Sequence, residues 1–179
     1  MTDSPVPAYV DTRKIFLQRG AISGTIALQR LIRFSELLAN NSGSVYVELE
    51  FFNDESGRHR ISGHLHTEVA VVCQRCMEPL EIVLDDDIEL AVLKDESKVA
   101  SLDAEFDPWI CSDTKLEITS LVEEQLILCL PIVSLHDSAN CNGTSAYLSA
   151  TNNSEKDPAT GTVNPFAALK SLKSQERNK

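Results

Sequence analysis

The stretch Val45-Tyr46-Val47-Glu48-Leu49-Glu50-Phe51 alternates apolar and polar side chains one by one. Successive residues of a strand point to opposite faces, so this period of two predicts a strand with Val45, Val47, Leu49 and Phe51 on a buried face. Residues 53–58 then group Asn, Asp, Ser and Gly, which adopt turn conformations readily. Beyond them Ile61, Leu65, Val69 and Val71 resume an odd-numbered apolar face, predicting a second strand that ends near Val72. After a break at 73–79, Leu80, Ile82, Leu84, Ile88, Leu90 and Val92 all fall on even positions. They predict a third long strand, bulged at Asp85 to Asp87, that pairs back on the second. The three strands make an antiparallel meander.

Farther along, Ile118, Leu121, Val122, Leu126, Cys129 and Leu130 recur at steps of three and four. That stripe predicts an amphipathic helix over 118–130 packed on the sheet, with Ser120 and Glu123 at capping-box spacing and Pro131 as its stop. A weaker helical pattern covers 28–38, where Leu28, Leu31, Ile32, Ser35 and Leu38 would share a face and Arg30 and Arg33 would point elsewhere. The fold class expected is α+β, one domain over residues 1–141. Residues 142–163 are rich in Ser, Thr, Asn, Ala and Gly and poor in large apolar groups, which predicts a flexible linker. It leads into Asn164-Pro165, a helix-start pair, followed by Phe166, Leu169 and Leu172 with Lys170, Lys173, Arg177 and Lys179. A short basic helix over 164–179 is expected.

The 179 residues suffice for one domain and a tail, and 42% hydrophobic with 24% charged residues is a composition that buries a core. Sixteen Lys and Arg against 27 Asp and Glu leave a net charge of -11, which opposes non-specific binding to DNA or RNA. Any RNA contact must therefore be local, and no DNA partner is expected. Charge is also segregated: residues 1–33 hold five basic and two acidic groups, 81–107 two and ten, 164–179 four and one. Residues 1–14 show no secretory pattern, and the most apolar run, 126–133, is broken by Pro131 and far short of the roughly 20 residues of a membrane span. A soluble cytoplasmic protein without membrane contact is the expectation.

Five cysteines, an odd number in such a chain, favour thiols or a metal site over a disulfide framework. Cys73-Gln74-Arg75-Cys76 places two thiols three positions apart at a join between predicted strands, where a turn can offer both sulfurs to one tetrahedral zinc. Four ligands are needed. His136 and Cys141 complete the expected set, because the loop between them is free to wrap a metal, whereas Cys129 lies on the apolar stripe of a helix and belongs to the core. Two other readings stay open: a pair of unmetallated thiols in a hairpin turn, and a redox pair. The redox pair lacks a helix start to lower its first thiol's pKa. His66-Thr67-Glu68 with Cys73 and Cys76 also matches the outline of a zinc deaminase, but Val72 stands where that signature has proline and both halves lie on strand-like sequence. Neither a phosphate-cradling glycine loop nor a serine elbow is present.

Three blocks together resemble a known family. They are Val71-Val72-Cys73-Gln74-Arg75-Cys76 with Glu78-Pro79, then Leu121-Val122-Glu123-Glu124-Gln125-Leu126-Ile127-Leu128 through Leu130-Pro131-Ile132-Val133 to His136-Asp137 and Cys141, and last Asn164-Pro165-Phe166-Ala167-Ala168-Leu169 with Leu172-Lys173. In order and spacing they resemble the YceD family of large ribosomal RNA subunit accumulation proteins. The resemblance implies a non-catalytic role in synthesis, processing or stability of large-subunit (23S) ribosomal RNA. It also implies a metal site built from the two cysteine-bearing segments, since relatives carry further cysteines near the positions of His136 and Cys141. The chain departs from that pattern at Cys129, where alanine is common, and at Ser134, where proline is usual.

On that reading Arg75 and Gln74, held between two anchored cysteines, would meet the RNA or its precursor, and Pro165, Phe166, Lys170 and Lys173 would form a second contact. The acidic remainder would suit a basic large-subunit ribosomal protein. The rival reading is a zinc-dependent or thiol redox enzyme using Cys73 and Cys76.

Overall fold

The computed structural model describes residues 5–137 and Cys141. In chain order the elements are β1 (Tyr9–Asp11), α1 (Thr12–Leu17), β2 (Ala21–Ala27), α2 (Ile32–Ser35), β3 (Ser44–Asn53), β4 (His59–Val72), β5 (Pro79–Leu93), β6 (Asp107–Ile110), β7 (Lys115–Glu117) and α3 (Ile118–Cys129). Short 3-10 turns occupy Leu28–Arg30 and Glu96–Ser101. The fold is α+β. A five-stranded sheet has the order β2-β3-β4-β5-β6, and β1 and β7 form a separate two-stranded ribbon. The expectations for residues 142–179, the linker and the basic helix, lie outside the described residues.

The meander stands where the alternation placed it, with β3, β4 and β5 paired antiparallel. Two features differ. The sheet is mixed, because β6 returns parallel to β5 after the segment that follows it. The expected bulge at Asp85 to Asp87 is absent: register runs unbroken from His59 opposite Val92 to Val72 opposite Pro79. The acidic run is absorbed by its neighbours across the sheet. His64 Nδ1 lies 2.9 Å from Asp87 and His66 Nδ1 2.9 Å from Asp85, so both aspartates have partners on the outer face and the ladder needs no extra residue.

One face of this sheet carries the core. Val45, Val47, Leu49 and Phe51 of β3, Ile61, Leu65 and Val69 of β4, and Leu84, Ile88 and Leu90 of β5 are buried against Ile118, Leu121, Val122 and Leu126 of α3. The outer face is mostly wet, but it also holds a buried charge. Arg60 is 1% exposed, covered by the Phe106 ring 3.6 Å from its guanidinium and paired to Asp54 at 3.0 Å and Asp103 at 3.6 Å.

The helical reading of 28–38 is corrected. The segment forms the 3-10 turn and the four-residue α2, burying Leu28, Leu31 and Phe34 while Ile32 is 69% exposed. Steps of three rather than a regular 3.6 fit the tighter first turn, which rotates Ile32 outward. The capping box of α3 is also not made, as Glu117 is the N-cap and has no side-chain cap bond. Glu123 instead reaches across the core. Its Oε1 accepts from the backbone N–H of Arg33 at 2.7 Å and of Phe34 at 3.2 Å, satisfying the start of α2. Because these donors are away from water, Glu123→Ala is expected to cost about 1–3 kcal/mol in urea denaturation, with Glu123→Gln intermediate.

Candidate metal centre

The β4–β5 turn is where the two cysteines of the C-x-x-C lie, and its backbone is closed at both ends. Cys73 N–H donates to Glu78 O at 2.9 Å and Met77 N–H to Cys73 O at 2.9 Å. Met77 takes a positive φ of 64° to complete the turn, a conformation that strains a side chain other than glycine. This geometry directs Cys73 inward, fully buried, and Cys76 to a half-buried position beside it.

The chain after α3 is then stitched onto the turn. Gln74 N–H donates to Ser134 O at 2.9 Å and its side-chain amide to Ile132 O at 3.4 Å, while Arg75 Nη2 donates to His136 O at 3.0 Å. These bonds bring His136 and Cys141 over the two cysteines. The four residues picked from the sequence thus meet: the ligand atoms of Cys73, Cys76, His136 and Cys141 all lie within 4.8 Å of one another. Cys73 and Cys141 sulfurs are 3.6 Å apart, and His136 Nδ1 is 3.4 Å from Cys76 and 3.6 Å from Cys141. With metal bonds of about 2.3 Å to sulfur and about 2.0 Å to nitrogen, a tetrahedral zinc demands edges of about 3.8 and about 3.5 Å. The donor set fits that size. The other ring nitrogen of His136, Nε2, donates to Pro79 O at 3.1 Å, which fixes the tautomer and leaves Nδ1 for a metal.

The protonation of the cluster suits a divalent cation. Burial works to raise the Cys73 thiol, but the backbone N–H groups of Cys76, Arg75 and His136 outweigh it and bring it down to about 5. Cys76, hydrogen-bonded to Cys141, is pushed up to about 11. The Arg75 guanidinium is the chief cause that lowers Cys141, and the bond to Cys141 is the chief cause that raises His136. Packed thiolates repel, so one proton is lost easily and the next is held. A divalent cation would remove that conflict, and three thiolates on a divalent ion leave one negative charge for Arg75 to balance.

The other cysteines and histidines are engaged elsewhere. Cys129 packs against the core, as its place on the helix stripe implies, and burial, then Asp86, raises its thiol pKa. Cys111 points at the carbonyls of Asp113 and Lys115. His59 stacks on Phe16, and His64 and His66 pair with aspartates on the outer face. Pro165, Phe166, Lys170 and Lys173 lie outside the described residues.

Exposed apolar side chains that the sequence pattern did not single out lie in the segments that carry the cluster and in α3. Met77 is 72% exposed, Leu128 73% and Ile132 95%, with Val133 and Leu135 also exposed. A signal was present: the apolar residues after Pro131 follow a helix stop and match no strand or helix period, so nothing assigned them to a core. Among the described residues no helix is long and apolar enough to cross a membrane.

Comparison with known proteins bears on this centre directly. The family model for "Large ribosomal RNA subunit accumulation protein YceD" matches residues 61–173, which takes in all four clustered side chains. The Large ribosomal RNA subunit accumulation protein YceD of Haemophilus influenzae (strain ATCC 51907 / DSM 11121 / KW20 / Rd) is 28% identical over 172 residues, covering 94% of this chain and 96% of its own. No solved structure matches the chain. With the match extending over more than half of its length, from the middle of the meander through the Cys73, Cys76, His136 and Cys141 cluster and beyond, the chain belongs to the YceD family of large ribosomal RNA subunit accumulation proteins.

Proposed function

We propose that this protein serves large-subunit ribosomal RNA accumulation without catalysis, as a docking factor whose zinc-bound knuckle presents an apolar surface to a basic protein of the large subunit. The zinc ligands are Cys73, Cys76, His136 and Cys141, and four protein ligands closing a tetrahedron is the arrangement of structural rather than catalytic zinc. Bound zinc would supply cross-linking of the β4–β5 turn to the segment after α3. The chain's own residues do the rest: Gln74 and Arg75 tie that segment down, and Met77, Leu128 and Ile132 face outward.

The observation that carries this reading is Met77. An exposed apolar side chain held at positive φ at the tip of a turn costs stability and contributes nothing to the core, which points to use by a partner. Charge selects the kind of partner. Residues 76–93 and 116–141 contain no Lys or Arg, and Glu78, Glu81 and Asp137 are exposed nearby. Phosphate would find Arg75 as the cation of this region, and Arg75 is engaged with His136 O and Cys141. A basic protein with apolar anchors matches both features, so direct RNA contact by Gln74 and Arg75 is the second reading.

The test is the ratio of large- to small-subunit ribosomal RNA in cells depleted of the protein and complemented with variants at equal abundance. Depletion lowers the ratio, and wild type restores it, whereas Cys73→Ser and a Met77→Asp/Ile132→Asp double variant do not. An unmoved ratio on depletion sinks the function. Full rescue by the double variant sinks the docking surface, and failure of Arg75→Ala alone then favours RNA.

A further inference from the structure

A cleft of about 390 Å³ opens at the other end of the meander, where the β3–β4 turn meets the segment after β5. Its charged lining is Arg58, Lys94 and Lys98, with His59 beside them, and no carboxylate lines it. That is unexpected on a chain with 27 acidic and 16 basic residues. Lys94 and Lys98 are moreover the two cations of segment 81–107, which holds ten acids, and both face this cleft. Neither forms an ion pair among the described residues.

Three neighbouring acids are held by other groups, although Asp95 also feels the charge of Lys98. Asp54 and Asp103 bond Arg58 at 3.0 and 3.1 Å, which fixes the guanidinium at the rim, and Asp95 accepts from Ser97 N–H at 2.8 Å. The wall behind is rigid, because the His59 ring stacks on buried Phe16 with centroids 4.2 Å apart and its Nδ1 lies 2.6 Å from Asn53 Oδ1. Burial, and then the charge of Lys94, hold the His59 pKa below its ordinary 6.5. Leu93 and Leu102 supply an apolar side. The volume is in the range of small-molecule sites and exceeds what a lone phosphate fills.

We propose that this cleft binds a phosphate group carried on a nucleoside, free or within an RNA strand, with Lys94 and Lys98 on the phosphate oxygens and the apolar side against the nucleoside. Two mobile ammonium groups suit a phosphate as point charges, and a fixed guanidinium adds a directed donor. The proposal is independent of the metal centre.

Titration calorimetry on the full chain tests it with adenosine 5′-monophosphate, adenosine, inorganic phosphate and an eight-nucleotide single-stranded RNA. The monophosphate is expected to bind at least about tenfold tighter than adenosine, and Lys94→Ala/Lys98→Ala to weaken it at least about tenfold. Both lysines are exposed, so that variant should keep the wild-type unfolding midpoint. A Lys94→Arg/Lys98→Arg variant should retain binding. If the RNA displaces the monophosphate at a lower concentration per nucleotide, the ligand is a strand; if it does not compete, the ligand is a free nucleotide. Equal affinity for adenosine and its monophosphate, no binding at millimolar concentration, or an unaffected alanine variant would each overturn the proposal.

Discussion

Stripping the metal from the wild-type chain with a strong chelator is expected to lower its thermal midpoint by about 10 °C, and Cys73→Ser to do the same without chelator. The reasoning is linkage. A ligand bound by the folded chain alone stabilises it by about 4 kcal/mol at a thousandfold excess over its dissociation constant, and each kcal/mol moves the midpoint of a domain this size by about 2–4 °C. The loss should be local in structure. The Gln74 amide, bonded to Ser134 O at 2.9 Å, should lose its protection from hydrogen exchange, while amides in the middle of β4 keep theirs, since the core against α3 includes none of the four clustered side chains. Metal analysis should return one zinc per chain. A midpoint and a Gln74 protection that ignore the chelator would show that the four side chains meet without holding a structural ion.

The second large effect belongs to Gly63, in the middle of β4 opposite Leu49 and Ile88. A Cβ built there would clash with the carbonyl oxygen of Glu48 and come within 2.7 Å of Leu49 Cδ2. The first of these is backbone on the paired strand, so relief requires β3 and β4 to separate in the centre of the sheet. Gly63→Ala should therefore cost about 3 kcal/mol or more in urea denaturation. Gly57→Ala is the internal comparison. Its φ is +73° but nothing lies within 4 Å of the added carbon, so only conformational strain of about 1–2 kcal/mol is expected. If Gly57→Ala proved the more damaging, the close approach of the two strands at Gly63 would be refuted.

Much of this architecture could be read before any coordinates. Alternation placed β3, β4 and β5 because long strands with one wet face display their period directly. The meeting of Cys73, Cys76, His136 and Cys141 was legible because two cysteines in one turn supply only half of a tetrahedral ligand set. What escaped has a common cause. β2, β6 and the ribbon of β1 and β7 are short or mixed in polarity, and they owe their existence to partners distant in sequence, as in Val10 opposite Leu116. The acid at 123 has the spacing of a local cap, yet its carboxylate serves Arg33 and Phe34, ninety and eighty-nine residues away. Local spacing cannot distinguish these. The cleft escaped for the same reason, since Arg58 and Lys94 meet only once β4 and β5 are paired.

The unbroken register of β4 and β5 has a mechanical meaning. Fourteen paired residues are separated by thirteen rises of about 3.3 Å and make a strut about 43 Å long, with the C-x-x-C turn at one tip and the basic cleft at the other. No single nucleotide or small folded domain can cover both tips, so whatever occupies one leaves the other open. Occupancy at the two tips should therefore add without competition, and a particle gripped at both would have its two attachment points about 4 nm apart.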